Sequence, residues 1–236
     1  MGYRIGFDIG STTIKAVVLD ENNQICYKSY ERHKAQVRQK ALDKLVELKK
    51  YTKEPFKFAI SGSGALGLCE QGELPFVQEV FASATGVSKL YPETDCTIEL
   101  GGEDAKILFF QGSVEQRMNS TCAGGTGAFI DQMSTLLNMS LEEMNEASLN
   151  YHRLYPIASR CGVFAKTDIQ PLINQGVDKC DLCASIFQAV VDQTITSLAQ
   201  GRKIEGNILF LGGPLYFMSG LRKRFVETLK LSDVQV

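Results

Sequence analysis

The sequence predicts an α/β chain built from two similar units, and three features point there. A strand, a glycine turn and a second strand occur twice, over residues 4–19 and 96–110. Segments with helical spacing of apolar residues follow both occurrences. A short apolar run, Asn207 to Leu211, has the composition of a buried parallel strand and ends on Gly212-Gly213.

Taken in order, Arg4 to Ile9 and Ile14 to Leu19 are apolar strands separated by Gly10-Ser11-Thr12-Thr13, and Glu21-Asn22-Asn23 turns the chain into Gln24 to Tyr30. Ala35 to Lys50 has helical period, with Leu42, Leu45, Val46 and Leu48 expected to supply much of its apolar stripe. Phe56 to Ile60 is a strand closed by Ser61-Gly62-Ser63-Gly64, Val77 to Leu90 a helix, and Pro92 the end of a first lobe, giving domains 1–92 and 93–236. The second lobe repeats the pattern: Cys96 to Leu100, Gly101-Gly102, Ala105 to Phe110, Gly112, and Val114 to Met118. Helices are then predicted over Thr126 to Leu137, Ser140 to Ala147 with a Ser140–Glu143 capping box, Cys161 to Asn174, Asp181 to Gln200, and Tyr216 to Leu229. Pro171 is expected to kink the third of these or end it early. Val234-Gln235-Val236 reads as the opening of another strand, so the sequence is expected to be part of a longer polypeptide.

Composition narrows the function. The formal net charge is −2 with no long run of one sign, so a nucleic-acid backbone finds no basic footprint. The N-terminus lacks a charged segment followed by an apolar stretch, and no segment is read as approaching the roughly 18 apolar residues of a membrane span. The expected location is the cytoplasm. There, seven cysteines are core packing, metal ligands or redox groups rather than disulfides.

Chemistry concentrates in three stretches. In Asp8-Ile9-Gly10-Ser11-Thr12-Thr13-Ile14-Lys15, Gly10 permits a tight turn and the N–H groups of residues 10–13 can converge on a phosphate, helped by the hydroxyl side chains. Asp8 at the strand end is placed to hold Mg²⁺ through water. In Glu99-Leu100-Gly101-Gly102-Glu103-Asp104-Ala105-Lys106 the glycines again allow close approach to phosphate, and Glu99 and Glu103 are candidates to orient an attacking water or hold the metal's waters. Either turn alone is an ordinary polar hairpin. Their equivalent places in two similar units favour nucleotide binding.

The third stretch, Asn119-Ser120-Thr121-Cys122-Ala123-Gly124-Gly125-Thr126-Gly127, leads into a helix and is expected to present N–H groups at a helix N-terminus, where a thiolate or a phosphate is favoured. Cys122 therefore suits a metal ligand or a reactive thiol. Cys161, in Ser159-Arg160-Cys161-Gly162, sits similarly. Two thiolates are half of what an iron–sulfur cluster needs, and a twofold dimer supplies the rest. Cys180-Asp181-Leu182-Cys183 offers a rival, an intrachain four-cysteine site, although Cys183 falls in register with Phe187 and Val190 on an apolar stripe. Cys26, Cys69 and Cys96 are expected in the core, and His33 and His152 on the surface.

These stretches, together with Leu209 to Pro214, resemble the activator ATPases of 2-hydroxyacyl-CoA dehydratases, in the family that includes the ATPase subunits of benzoyl-CoA reductase. The resemblance implies duplicated lobes of the actin/hexokinase-like (ribonuclease H-like) α/β fold with an ATP cleft between them. It implies Mg²⁺ with ATP or ADP, bound with the help of Gly10, Ser11, Thr12, Thr13, Lys15, Gly101, Gly102, Asp104, Gly125, Thr126 and Gly127, with Gly212 and Gly213 on the adenosine side. It further implies a homodimer bridged by a [4Fe-4S] cluster on Cys122 and Cys161 of each subunit. ATP-driven delivery of a low-potential electron to a partner dehydratase or reductase follows, with a ferredoxin or flavodoxin reloading the cluster. The family's second motif usually reads Asp-Ile-Gly-Gly-Gln-Asp. Here Glu99 lengthens the acid's reach by a methylene and Glu103 adds a charge near the γ-phosphate. Two other functions stay open at this point: a small-molecule kinase of the same fold, and a nucleotide-dependent sensor or assembly protein without redox work.

Overall fold

Alternation of buried and exposed side chains makes the first two strands one sheet face: Ile5, Phe7 and Ile9 of β1 (Tyr3–Ile9) and Ile14, Ala16 and Val18 of β2 (Thr13–Leu19) are all buried. The computed structural model describes residues 2–53, 55–119, 124–158, 161–232 and 234–236, divided into the units Met1–Lys89 and Leu90–Val236. In the first unit β3 (Ile25–Arg32), α1 (Val37–Leu48), β4 (Phe56–Ser61), α2 (Leu66–Gly72) and α3 (Glu79–Leu90) follow. The sheet order is β3-β2-β1-β4, antiparallel except for the parallel β1–β4 pair. Its apolar face packs with Ala41, Leu48, Ile60, Ala65 and Cys69.

The buried face of α1 is not the stripe read from the sequence. Ala41, Lys44 and Leu48 are buried, while Leu42, Leu45 and Val46 are exposed. The reason is Lys44, whose stem lies in the core while its head reaches the rim. There Nζ donates to Glu31 Oε1 (2.5 Å), Glu47 Oε2 (2.8 Å) and the Tyr27 hydroxyl (3.2 Å). Burial alone would lower the Lys44 pKa, but these three partners together raise it, and Lys44 in turn holds Glu31 and Glu47 below the usual carboxylate range. Stability from the depressed carboxylates is present above their ordinary value of 4.5 and is lost as pH falls through the folded values. Stability from the raised lysine is complete at neutral pH and is lost only above 10.5. Lys44→Ala is expected to destabilise the protein by about 2 kcal/mol, a drop of roughly 4–8 °C in melting temperature at neutral pH. That difference shrinks as the buffer is taken below about pH 4.

The second unit contains β5 (Cys96–Leu100), β6 (Ala105–Phe109), β7 (Glu115–Met118), α4 (Gly127–Leu137), α5 (Leu141–Ser148), α6 (Gly162–Asn174), α7 (Lys179–Thr194), β8 (Ile208–Leu211), α8 (Gly213–Phe217), α9 (Ser219–Leu229) and β9 (Val234–Gln235). Its sheet order is β7-β6-β5-β8-β9, with β8 parallel to both neighbours. Apart from β9, this repeats the order of the first sheet. Ser140 caps α5 with the capping box complete: its hydroxyl accepts from Glu143 N (3.1 Å) and Glu143 Oε2 accepts from Ser140 N (2.7 Å).

Three expectations are corrected in this unit. Pro171 does not end α6 early: the helix runs to Asn174 with Pro171 in its last turn, where the exposed Thr167 carbonyl loses its i+4 donor. The helix predicted over 216–229 is two helices, broken at Met218 (φ −104°, ψ 95°). Asn145 of α5 holds the restart, its Oδ1 accepting from Gly220 N (2.9 Å) and its Nδ2 donating to Ser219 Oγ (3.3 Å). The run Lys179–Ala199 is, by length and composition, apolar enough to cross a membrane. Its composition reflects a core helix, since 67% of its most apolar window is buried. That run ends in a π-helix, Ile195–Ala199, where Thr194 and Ser197 hydroxyls donate to carbonyls one turn back and Arg117 donates to the carbonyls of Leu198 and Ala199.

Candidate functional site

The two predicted turns are the same structure built twice. In the first, Gly10 N–H donates to Thr13 O (2.9 Å), and Asp8 and Lys15 face each other across the hairpin with Nζ 2.6 Å from Asp8 Oδ2. In the second, Gly101 N–H donates to Asp104 O (2.8 Å), and Glu99 faces Lys106 in the same register, 3.5 Å away. Lys106 is buried and also pairs with Asp104 Oδ2 at 2.8 Å. Each hairpin thus carries an acid at the end of its first strand, held by a lysine on its second.

Each unit also places a glycine after the strand parallel to its first strand. Gly62 (φ +94°) follows β4 and Gly212 (φ +90°) follows β8. A Cβ on Gly62 would come 2.3 Å from Ile9 O, and one on Gly212 would come 2.0 Å from Leu100 O. The backbone therefore closes directly on the end of the acid-bearing strand, where no side chain fits. Lys106 and Gly62 were not among the site residues read from the sequence. The signal for both is internal repetition: Asp8 and Lys15 stand at the spacing of Glu99 and Lys106, and Gly62 and Gly212 each end an apolar strand.

At the first turn Ser11 is exposed, Thr12 half-buried and Thr13 buried. The Gly10 N–H is spent inside the turn, so of the four amides expected to converge on a phosphate this one is already committed. Asp8 Oδ1 is buried and makes no hydrogen bond, while Oδ2 takes Lys15. An orphaned carboxylate oxygen beside a cationic partner fits a hydrated divalent cation. His33, expected on the surface, is 5% exposed and lies against this turn. It ended up inside because it follows β3 where that strand pairs with the turn: its backbone N–H donates to Thr12 O (3.1 Å).

At the second turn Glu103 is exposed and Glu99 mostly buried, with a side-chain exposure of 15%. Asp104 Oδ1 occupies the space where a Gly101 side chain would be. The stretch leading to α4 is fastened to this hairpin at both ends. Asn119 N–H donates to Ala105 O (3.1 Å) and its Oδ1 accepts from Ala105 N (2.6 Å). Beyond it, Gly127 N–H donates to Gly101 O (3.0 Å) and Ala128 N–H to Gly102 O (2.7 Å). The first-turn amides of α4 are thus not left open as the sequence suggested; two of them grip the glycine turn. Gly125 (φ +78°) and Thr126 are buried, with Gly125 against Gln193. Cys122 lies outside the described residues.

Cys161 is the N-cap of α6, half-buried. Its neighbour Gly162 leaves room for Gln132 and Phe129 of α4, since a Cβ there would come 2.6 Å from Gln132 Oε1. The helix opened by Cys161 therefore rests on the helix fastened to the second turn. Cys180 is half-buried, its backbone N–H donating to Asp178 (2.7 Å). Cys183 is fully buried on the core face of α7, and burial pushes its thiol up to about 12. Burial does the same to Cys96, up to about 12, and raises Cys69. Cys26, expected in the core, is exposed, because β3 is an edge strand and Cys26 lies on its solvent side. The pair expected on the adenosine side sits where β8 meets α8, with Gly213 buried and Pro214 in the first turn of the helix.

Comparison with known proteins gives this geometry a family. The chain is 29% identical to the activator of lactoyl-CoA dehydratase of Anaerotignum propionicum over 217 residues, 89% of this chain and 83% of that one. It superposes with a TM-score of 0.87 and 26% identity on the crystal structure of the Acidaminococcus fermentans (R)-2-hydroxyglutaryl-CoA dehydratase component A, covering 100% of this chain and 91% of the other. The activator of the 2-hydroxyisocaproyl-CoA dehydratase from Clostridium difficile with bound ADPNP gives a TM-score of 0.86 at 26% identity, over 99% and 88% of the two chains. The fold is that of the actin/hexokinase-like proteins, as expected. With residues 5–236 matching its profile, from the first strand through the second glycine turn to β9, the chain belongs to the BadF/BadG/BcrA/BcrD ATPase family.

Proposed function

We propose that this chain is an ATP-hydrolysing activator whose two copies share one [4Fe-4S] cluster through Cys122 and Cys161 of each, and that it passes an electron to a partner acyl-CoA dehydratase or reductase in the cytoplasm. The observation that carries this reading is the double fastening of residues 119–128 to the second glycine turn: Asn119 to Ala105 at one end, Gly127 and Ala128 to Gly101 and Gly102 at the other. A phosphate that moves this turn moves both ends of the stretch bearing Cys122, and, through Gly162 on Gln132, the helix opened by Cys161.

The residues take these roles. Asp8 Oδ1 holds Mg²⁺ through water, and Lys15 fixes the orientation of the carboxylate. Glu99 and Glu103 orient the attacking water, and Lys106 keeps Glu99 and Asp104 in place. The turns at Gly10-Ser11-Thr12-Thr13 and Gly101-Gly102, with Gly125, Thr126 and Gly127, serve the phosphates of ATP and ADP, and Gly212 and Gly213 the adenosine. Cys161, a half-exposed cysteine at a helix start, fits a cluster ligand, and two cysteine ligands per chain require the homodimer. Bound there, the cluster supplies a low-potential electron, reloaded by ferredoxin or flavodoxin.

Anaerobically prepared protein is expected to hydrolyse ATP and to carry about four iron and four sulfide per two chains. Asp8→Asn is expected to lower hydrolysis more than about tenfold, the loss of a charge-assisted metal contact, without lowering the iron content. Hydrolysis by a dimer that never takes up iron would leave a nucleotide-dependent sensor instead.

A further inference from the structure

We infer that His33 is a positioning residue for nucleotide binding, a single side chain and backbone that aim the amides of the Gly10–Thr13 turn. The inference rests on reading that turn as a phosphate site. His33 Nδ1 accepts a hydrogen bond from Ala35 N–H (3.2 Å). That nitrogen therefore carries a lone pair, and the ring proton sits on Nε2, which donates to Gly10 O (3.2 Å). The backbone N–H of the same residue donates to Thr12 O (3.1 Å).

The consequence follows from peptide geometry. In a trans peptide the carbonyl of one residue and the N–H of the next point in opposite directions, and the described chain has no cis bonds. Holding the Gly10 carbonyl at the imidazole turns Ser11 N–H away from it. Holding the Thr12 carbonyl at the His33 backbone does the same for Thr13 N–H. With Gly10 N–H already bonded to Thr13 O, one neighbour sets the orientation of two of the turn's three remaining donors, Ser11 N–H and Thr13 N–H.

The ring is held in its turn. Lys34 (φ 48°) and Ala35 (φ 62°) both adopt the left-handed conformation, which is unfavourable for a residue that carries a Cβ. That unfavourable turn brings Ala35 N–H onto Nδ1, and Gln36 N–H closes it on His33 O (2.8 Å). A purely structural turn would be relieved by glycine at either position; the sequence has none there.

Two substitutions separate the ring's contacts. The amide of His33→Gln reaches the place of Nε2 and keeps the donor to Gly10, whereas His33→Asn reaches only the place of Nδ1 and keeps the acceptor for Ala35. Titrating the full chain with Mg²⁺ and a non-hydrolysable ATP analogue, His33→Asn is expected to weaken binding about tenfold, or about 1.4 kcal/mol. His33→Gln is expected to stay within about threefold, the smaller end of a single hydrogen bond. In turnover the loss in His33→Asn is carried by KM more than by kcat, and the melting temperatures of the two variants are similar. Long-range proton–nitrogen correlation on the free protein should show the His33 proton on Nε2. Wild-type affinity in His33→Asn, equal losses in both variants, or a proton on Nδ1 would overturn the inference. Failure of the unaltered protein to bind the analogue would instead remove the nucleotide reading of the turn, and this inference with it.

Discussion

Cys161→Ala protein loaded anaerobically with iron and sulfide is expected to lack the charge-transfer absorption near about 400 nm that thiolate-bound iron gives. Cys122→Ala is expected to behave alike. In the proposed shared cage each chain brings two thiolates, so one substitution leaves two of the four sulfurs, and the remaining ligands cannot close it. Folding is not the cause of the loss: Cys161 is a half-buried N-cap, and its replacement is expected to move the melting temperature by no more than about 4 °C. Cys183→Ala is the control. Its thiol faces Met139 in the core, so the absorption is expected to survive there while stability falls. The opposite pattern, absorption lost with Cys183 and kept without Cys161, would replace the shared cage by a site within one chain.

Gly212→Ala is the second large effect. A methyl group at this position would meet the Leu100 carbonyl at 2.0 Å, and φ is +90°. Neither the backbone of a central strand nor the left-handed conformation yields cheaply, so the expected cost is at least about 3 kcal/mol, seen as a fall of roughly 6–12 °C in melting temperature. Nucleotide affinity should fall with it, since the junction of β8 and α8 must shift. Gly67 gives the contrast: it is helical, with nothing within 4 Å of the added carbon, and Gly67→Ala is expected to stabilise by up to about 1 kcal/mol. Thermal melts of the two variants side by side test the argument. Equal stability would mean that the closing of Gly212 on Leu100 does not matter.

Much of this was legible in the chain itself because the repeat is local: strand, glycine turn, strand and acid–lysine spacing appear in both units, and the capping box at Ser140 is a short-range pattern. Most of what escaped depended on partners far away in sequence. The apolar residues of α1 are placed on both sides of the helix, and only the acids of β3 and the end of α1 reveal that Lys44 lies on the inner one. The break at Met218 needs Asn145, and the burial of His33 needs the turn more than twenty residues earlier. α2 was missed because two glycines, at 67 and 72, weaken its helical signal.

The sealed thiols have a bearing on how metal enters. Cys96 and Cys183 keep their protons at neutral pH because no water reaches them, and a protonated sulfur is a poor ligand. In the native chain they do not compete for iron. Unfolding erases that distinction and sets all seven cysteines on equal terms. The proposed shared cluster is therefore expected to assemble on the folded chain, with iron and sulfide added after burial has hidden Cys96 and Cys183.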